Sequence, residues 1–268
     1  MDWARYWRAP DRPLEAMHAH FERHVYHRHS HDTYSFGVTD EGAQAFTCRG
    51  AARTSAAGMV MAFNPDEPHD GHAAVEDGFT YRIVHIGPEL VADVLGDAAA
   101  VPIGLPLFVE PVLHDPVLAD ALHCLHTALR ERSGLAQDEA LELTVRALVR
   151  RGATRRPWVP GHRGVTPAGI QQARDFLHVA YSDDIRANEL ADIAGCSRYA
   201  LHRGFQAQYG MAPSDYQRQL RLRAARELLQ QGTAPAETAA VVGFADQSHL
   251  TRWFQRYYGI TPGAFRKA

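Results

Sequence analysis

The chain has 268 residues, of which 46% are hydrophobic and 22% are charged. This composition is typical of a globular protein and excludes a disordered chain. No segment approaches the ~20 consecutive apolar residues of a membrane-spanning helix, and the first residues lack the apolar core of a secretory signal. Cys48, Cys124 and Cys196 are too far apart for a CxxC motif. We therefore expect a reduced, cytoplasmic protein without membrane contact.

The two halves of the sequence differ in charge. Residues 1–154 contain 13 Lys and Arg against 22 Asp and Glu, whereas residues 155–268 contain 15 against 9. Nearly all the positive charge is arginine, which suits bidentate contacts to phosphate or guanine. The charge division predicts that only the second half binds a polyanion.

Residues 1–110 have the pattern of short strands separated by turns. Apolar or alternating stretches at 34–38, 45–48, 59–63 and 79–86 are interrupted by loops rich in Gly, Pro and Asp. Several strands at this spacing, with no helical periodicity between them, predict a small barrel or sandwich.

Helical periodicity begins after this region. Residues 111–151 predict two amphipathic helices joined near Ser133-Gly134, which either complete the core or form the surface of a homodimer. Residues 152–166 contain several prolines and glycines without periodicity and predict a linker. Residues 167–268 predict an all-helical domain.

The helical domain contains two similar helix-turn-helix patterns. In the first, Gly195 ends one helix, Ser197 caps the next, and Leu201 and Phe205 face inward. Leu250 and Phe254 repeat this pair 49 residues later, which indicates a duplicated unit. Polar residues on the exposed face of a recognition helix can contact the major groove. The candidates in the first helix are Ser197, Tyr199, His202, Arg203 and Gln206.

Four segments carry a family resemblance: LADIAGCS at 190–197, LHRGFQAQYGMAPSDY at 201–216, RLRAARELL at 221–229 and GFADQSHLTRWFQRYYGITP at 243–262. They resemble the DNA-binding domain of AraC/XylS transcriptional regulators. The resemblance implies two helix-turn-helix units bridged by a long helix. It supports Tyr199, His202 and Arg203 as DNA contacts and adds Gln247, Ser248, His249, Thr251 and Arg252. Pro235 and Thr238 replace the usual Ile or Val, and Gly204 interrupts the first recognition helix.

Histidines are concentrated in the first half of the chain. An H-x-H pair, His29 and His31, would project both rings to one side of a strand, and His69 follows a turn that can bring it opposite. Tyr81, Ile83 and His85 alternate onto one face, as a pocket wall requires.

The segments HSHDTYSFGV and PDEPHDGH resemble the cupin-like sensor domain of the same family. Alignment with the family's arabinose sensor adds Glu41 and supports Tyr81 and Ile83. The predicted effector-binding residues are His29, His31, Tyr34, Glu41, His69, Tyr81 and Ile83.

We predict no metal cofactor, because the Glu found four or five residues beyond H-x-H in metal-binding cupins is replaced here by Ser35 and Phe36. A three-histidine metal site at His29, His31 and His69 is an alternative. A purely structural role, in which the rings hold loops, is another.

Together these patterns predict an α+β protein of two domains. A cupin-like β-barrel (1–110) is followed by a helical dimerisation segment (111–151), a linker (152–166) and a double helix-turn-helix domain (167–268). The predicted function is effector-controlled, sequence-specific DNA binding. The expected partners are promoter DNA, a small-molecule effector and a second copy of the chain, with RNA polymerase as a further candidate.

We expect no enzymatic activity. One alternative is a cupin-type metal-dependent enzyme carrying a DNA-binding tail. A second alternative is an alkylation-repair protein. That class needs a zinc-bound cysteine near the N-terminus, whereas the first cysteine here is the isolated Cys48.

Overall fold

The computed structural model describes residues 1–97, 104–131, 133–155 and 165–267. These residues form two compact units. The first unit comprises residues 1–130 and 140–161, and the second comprises 131–139 and 162–268, each within the described ranges. Most of the predicted linker, 156–164, lies outside the described residues. No described helix is both long enough and apolar enough to cross a bilayer.

The first unit is built on nine strands. These are β1 (Trp3–Arg8), β2 (Leu14–Phe21), β3 (Tyr26–His29), β4 (Tyr34–Cys48), β5 (Ala51–Ala56), β6 (Val60–Phe63), β7 (His69–Ala73), β8 (Phe79–Ile86) and β9 (Val112–Leu113). One sheet has the order β1-β2-β8-β4-β6-β9, and β3, β7 and β5 form further pairs reached through β4.

The long strand β4 belongs to both sets of strands. Its first part pairs with β6 and β8, and its second part pairs with β5 and β7. A register shift between Thr39 and Glu41 marks the change, as bulges commonly do where a strand bends. Among the described strands the hydrogen bonding does not close on itself, since β1 and β9 remain at opposite ends. The unit is therefore cupin-like and sheet-rich, as predicted, and its sheet is not closed.

Side chains on β8 alternate between two apolar clusters, because successive residues of a strand point to opposite faces. Phe79, Tyr81 and Ile83 contribute to one cluster, whereas Val84 and Ile86 contribute to the other. The second cluster is covered by helices α1 (Pro88–Gly96) and α2 (Pro116–Glu131) and by part of α3 (Gly134–Arg151). Only the part of α3 from residue 140 onward belongs to this unit. The first cluster surrounds the cavity described below.

The second unit is helical. Its helices are α4 (Pro167–Val179), α5 (Ala187–Ala194), α6 (Arg198–Tyr209), α7 (Pro213–Gln230), α8 (Pro235–Val241), α9 (Gln247–Tyr258) and α10 (Pro262–Lys267). Helices α5 and α6 form the first helix-turn-helix unit, and α8 and α9 form the second. Leu201 and Phe205 lie in the core of the first unit, and Leu250 and Phe254 lie in the core of the second. The duplication read from the sequence is therefore present in the structure.

The two recognition helices, α6 and α9, also begin and end alike. The side chain of Ser197 accepts a hydrogen bond from the Ala200 amide, and that of Asp246 accepts one from the His249 amide. Each side chain thus caps its helix at the N-terminus. Gly210 and Gly259, also 49 residues apart, follow the two helices in the left-handed conformation. The ends of both helices are therefore fixed by local interactions.

Gly204 has a packing role that its sequence context does not reveal. A Cβ at this position would lie 2.4 Å from Cγ1 of Val165 and 2.8 Å from Cδ1 of Ile170. Any larger residue would therefore push α6 away from the beginning of α4. The close approach offsets the roughly 1 kcal/mol that a glycine costs inside a helix.

Thr238 is fully buried in α8, and among the described residues its hydroxyl has no hydrogen-bond partner. A buried hydroxyl without a partner loses its hydration without compensation. The position therefore favours an apolar residue, as the sequence comparison with the family already indicates.

We expect Thr238→Val to raise the unfolding free energy by about 1–2 kcal/mol, because valine has the same shape and removes the unpaired hydroxyl. Thr238→Ser keeps the hydroxyl and loses a methyl group, so it should lower the stability. Thermal and urea unfolding of the two variants beside the wild type would measure both effects. A loss of stability in both variants would show that the hydroxyl is stabilising.

Candidate functional site

A cavity of about 190 Å³ lies within the first unit. It is smaller than the ~300–1,000 Å³ typical of sites for drug-sized ligands, so it suits a compact small molecule. Its walls combine aromatic, apolar and imidazole side chains. They are Tyr6, Met17, Tyr26, His29, His31, Gln44, Phe46, Met61, Phe63, His69, Asp70, Gly71, Tyr81, Ile83 and His85.

Residues of the cavity wall take part in two hydrogen-bonded pairs. The hydroxyl oxygens of Tyr26 and Tyr81 are 2.8 Å apart, and Ser35 Oγ lies 2.9 Å from His85 Nδ1. Burial raises the pKa of Tyr81 well above its usual value and lowers that of His85 to about 4. Both groups are therefore neutral near pH 7 and offer hydrogen bonds rather than charge.

Three imidazoles meet at one side of the cavity. One ring nitrogen each of His29, His31 and His69 lies within 4.8 Å of the others. The His69 ring stacks on Phe63 with a centroid separation of 4.0 Å, and His31 lies 4.7 Å from the ring of His85. Burial is the main cause that lowers the pKa of both His31 and His69. His31 and His69 are therefore neutral near pH 7.

The structure brings together five of the seven predicted effector residues: His29, His31, His69, Tyr81 and Ile83 all line the cavity. His31 does not lie on the same strand as His29, as the prediction assumed, because β3 ends at His29 and His31 lies in the following loop. The Asp66 amide donates to the His31 carbonyl over 2.6 Å and holds this loop. Strand alternation therefore does not by itself explain why the two rings share a side.

Tyr34 and Glu41, the other two predicted effector residues, are not among the described residues of the cavity wall. Tyr34 faces the opposite side of β4, where it is buried in the cluster under the helices and its hydroxyl donates to the Pro106 carbonyl. Glu41 is exposed to solvent just beyond the register shift in β4. The alternation of side chains along β4 explains the position of Tyr34, and the register shift explains that of Glu41.

The sequence reasoning missed several wall residues, including Tyr26, Gln44 and Phe63. They lie on three different strands, β3, β4 and β6, so only the pairing of the strands reveals that they reach one cavity. His85, which the alternation along β8 places on the same face as Tyr81 and Ile83, also lines the cavity.

The recognition helices present polar side chains to solvent. Arg203 and Gln206 on α6 and Gln247, Ser248 and Arg252 on α9 are exposed. Tyr199, His202 and Thr251 are half-buried. The guanidinium of Arg203 lies 5.8 Å from the ring centre of Tyr199, which places the two side chains side by side. Eight of the ten predicted DNA contacts are therefore at least partly exposed on α6 and α9.

Two of the predicted contacts are buried. His249 is 7% exposed, accepts a hydrogen bond from the Trp253 indole over 3.1 Å and meets the edge of Phe244. Its pKa is lowered to about 4, mainly by burial. Ser197 is occupied as the N-cap of α6. The structure thus corrects both assignments: each side chain holds the helix rather than facing a ligand.

Comparison with known proteins agrees with both units. The AraC-like ligand binding domain family matches residues 13–149, about half of the chain. A helix-turn-helix domain family matches residues 190–268. The chain belongs to the AraC family of transcriptional regulators. It combines a ligand-binding domain with a helix-turn-helix DNA-binding domain, consistent with transcription controlled by an effector.

Individual relatives of this AraC-family chain span most of its length. The helix-turn-helix transcriptional regulator YbfI of Bacillus subtilis is 28% identical over 83% of this chain and 80% of its own. The transcriptional activator RhaS of Yersinia pestis is 25% identical over 94% of this chain and 93% of its own. An AraC-type regulator structure from Chromobacterium violaceum is 28% identical, covers 37% of this chain and 90% of its own, and has a TM-score of 0.36.

Proposed function

We propose that this regulator binds promoter DNA as a homodimer through α6 and α9, and that a small molecule in the cavity of the first unit controls this binding. The cavity is the observation that carries the proposal. It lies within the part of the chain that matches the ligand-binding family, and five independently predicted residues line it. The chain acts in this proposal by binding, without catalysing a reaction.

The cavity chemistry indicates the class of effector. Phe46, Phe63 and Ile83 supply apolar walls, and three phenols and several imidazoles supply hydrogen-bonding groups. Among the described wall residues there is no lysine or arginine to pair with a strongly acidic ligand. A compact molecule with several hydroxyl or amine groups and an apolar face fits these walls.

Filling the cavity should abolish effector binding. We expect Ile83→Trp to remove the thermal stabilisation that a sugar, polyol or amine from a screening panel gives to the wild type, because the indole occupies the space. Glu41→Ala is the matched control and should respond like the wild type, since Glu41 faces solvent. Differential scanning fluorimetry measures both. An unchanged response in Ile83→Trp, or its loss in Glu41→Ala, would move the effector site away from this cavity.

Arg203 and Arg252 carry the proposed base recognition. They occupy equivalent positions on α6 and α9, 49 residues apart, and both are exposed while the opposite face of each helix is buried. Arginine can make bidentate contacts to guanine in the major groove, each worth about 1–3 kcal/mol of discrimination.

We expect Arg203→Ala and Arg252→Ala each to weaken operator binding by about 1–3 kcal/mol, with little effect on random DNA. Arg223→Ala removes the same charge from an exposed position on α7 and serves as the control for net charge. Binding isotherms on operator and random duplexes at two salt concentrations measure the difference. Equal losses on both duplexes would identify the two arginines as phosphate contacts.

The outer face of α2 supports the homodimer. Val117 is 50% exposed, and Asp120, Cys124 and Thr127 continue the same exposed face at helical spacing. The opposite face packs into the core through Leu118, Leu122 and Leu125. In a twofold interface, a residue near the axis lies next to its own copy, and Cys124 is central on this face.

A short bismaleimide should therefore link two copies of the chain through Cys124. Cys124→Ser should remove the crosslinked dimer, and Cys196→Ser should retain it, while Cys48 is buried and protected. Val117→Arg should shift sedimentation toward the monomer, because it places two guanidinium groups near the axis. Crosslinking that persists in Cys124→Ser, or a monomeric wild type, would contradict this interface.

A further inference from the structure

Two rings of the histidine trio, those of His29 and His69, donate hydrogen bonds to the backbone. His29 Nδ1 lies 2.7 Å from the His27 carbonyl oxygen, and His69 Nδ1 lies 2.9 Å from the Glu67 carbonyl oxygen. A carbonyl oxygen can only accept a hydrogen bond, so each Nδ1 must carry the proton. In a neutral imidazole the other nitrogen, Nε2, is then an unprotonated acceptor.

Fixing the tautomer in this way is the usual role of the second hydrogen bond of a metal-binding histidine. Two of the three rings thus already have the backbone partner that prepares a ligand nitrogen. His69 is held further by its stack on Phe63. The three residues come from the end of β3, the following loop and the start of β7, so the fold, rather than one local motif, brings them together.

We propose that His29, His31 and His69 bind one divalent transition-metal ion at the wall of the cavity. Imidazole nitrogens favour zinc, nickel, copper, cobalt and iron, whereas magnesium and calcium prefer oxygen ligands. Nitrogen ligands around a tetrahedral ion with bonds of 2.0–2.1 Å lie about 3.4 Å apart. In this structure one ring nitrogen of each histidine lies within 4.8 Å of the other two, so small ring rotations would bring the three nitrogens to this distance.

The surroundings of the trio admit a cation. The described cavity wall contains Asp70 and no lysine or arginine. His29 and His31 are partly exposed, whereas His69 is buried, so an ion has a path from solvent to the innermost ring. Ser35, one of the two residues that replace the Glu of metal-binding cupins, is hydrogen-bonded to His85. The protein therefore supplies three ligands and leaves a coordination position open.

The open position connects the ion to the effector, and this connection rests on the proposed function of the cavity. Three protein ligands with one open position are characteristic of sites where a metal ion also holds a small molecule. An effector with an oxygen or nitrogen donor would complete the coordination and occupy the remaining space between Tyr81 and Ile83.

The test uses untagged, full-length protein that is treated with EDTA, returned to chelator-free buffer and titrated with Co²⁺ or Zn²⁺. We expect one equivalent per chain, visible absorption from the bound Co²⁺ and a higher melting temperature with Zn²⁺. His29→Ala, His31→Ala and His69→Gln should each weaken Co²⁺ binding by at least about tenfold. His72→Ala, an exposed histidine on the same strand β7 as His69, should bind like the wild type.

Circular dichroism identifies any variant that fails to fold, and in that case the two partly exposed positions, His29 and His31, decide the result. A folded wild type without Co²⁺ absorption would overturn the metal site. So would a loss in His72→Ala equal to that in His31→Ala, because the binding would then be adventitious.

The failure of this inference is distinct from the failure of the proposed function. Effector stabilisation that Ile83→Trp abolishes, in a protein that binds no metal, would overturn the metal site and retain the effector cavity. One equivalent of metal that is sensitive to His31→Ala, in a protein whose effector response ignores Ile83→Trp, would support the metal site and contradict the effector cavity.

Discussion

The first unit depends on the pairing of β4 with β8. Their residues alternate between two interiors, so one face of the pair packs under the helices and the other encloses the cavity. The apolar side chains of Phe36, Val84 and Ile86 fix the first face, and a shift by one residue would exchange the two sets. Because burial under the helices sets this register, it also determines that Ile83 and His85 face the cavity.

Much of this arrangement could be predicted from the sequence, because alternation and turn composition are local signals. The helix-turn-helix units were predictable for a further reason: the repeat of 49 residues gives each position a partner. The same repeat could have corrected the prediction for His249, whose partner is Ala200, a buried residue of α6. Likewise Asp246 is the partner of Ser197, and both are helix caps. The family resemblance identified α9 as a recognition helix, but only the repeat shows which face of α9 points into the core.

The position of Tyr34 and Glu41 outside the cavity wall has a different explanation. Tyr34 lies one residue from Ser35, yet the two side chains belong to opposite interiors, and only the strand pairing shows which. The register shift near Glu41 lies between the stretches 34–38 and 45–48, which the sequence predicts to be separated by a loop, whereas the structure continues β4 through this segment. Residues such as Tyr26 reach the cavity from separate strands. A single sequence does not specify such non-local pairing, because turn chemistry and alternation act over only a few residues.

The polar groups of the cavity differ in how free they are to recognise a ligand. The Gln44 amide donates to Thr39 Oγ1, which lies 2.8 Å from Ser55 Oγ, so this network is satisfied within the protein. The phenols of Tyr26 and Tyr81 are paired with each other, and a ligand hydroxyl must replace that bond to engage both. A ligand without such a group would leave a buried phenol unpaired, which costs about 1–3 kcal/mol. In the proposed function the phenol pair therefore acts mainly against wrong ligands, whereas the Nε2 atoms of His29 and His69 remain as acceptors for a ligand, because the Nδ1 atoms of both rings donate to backbone carbonyls.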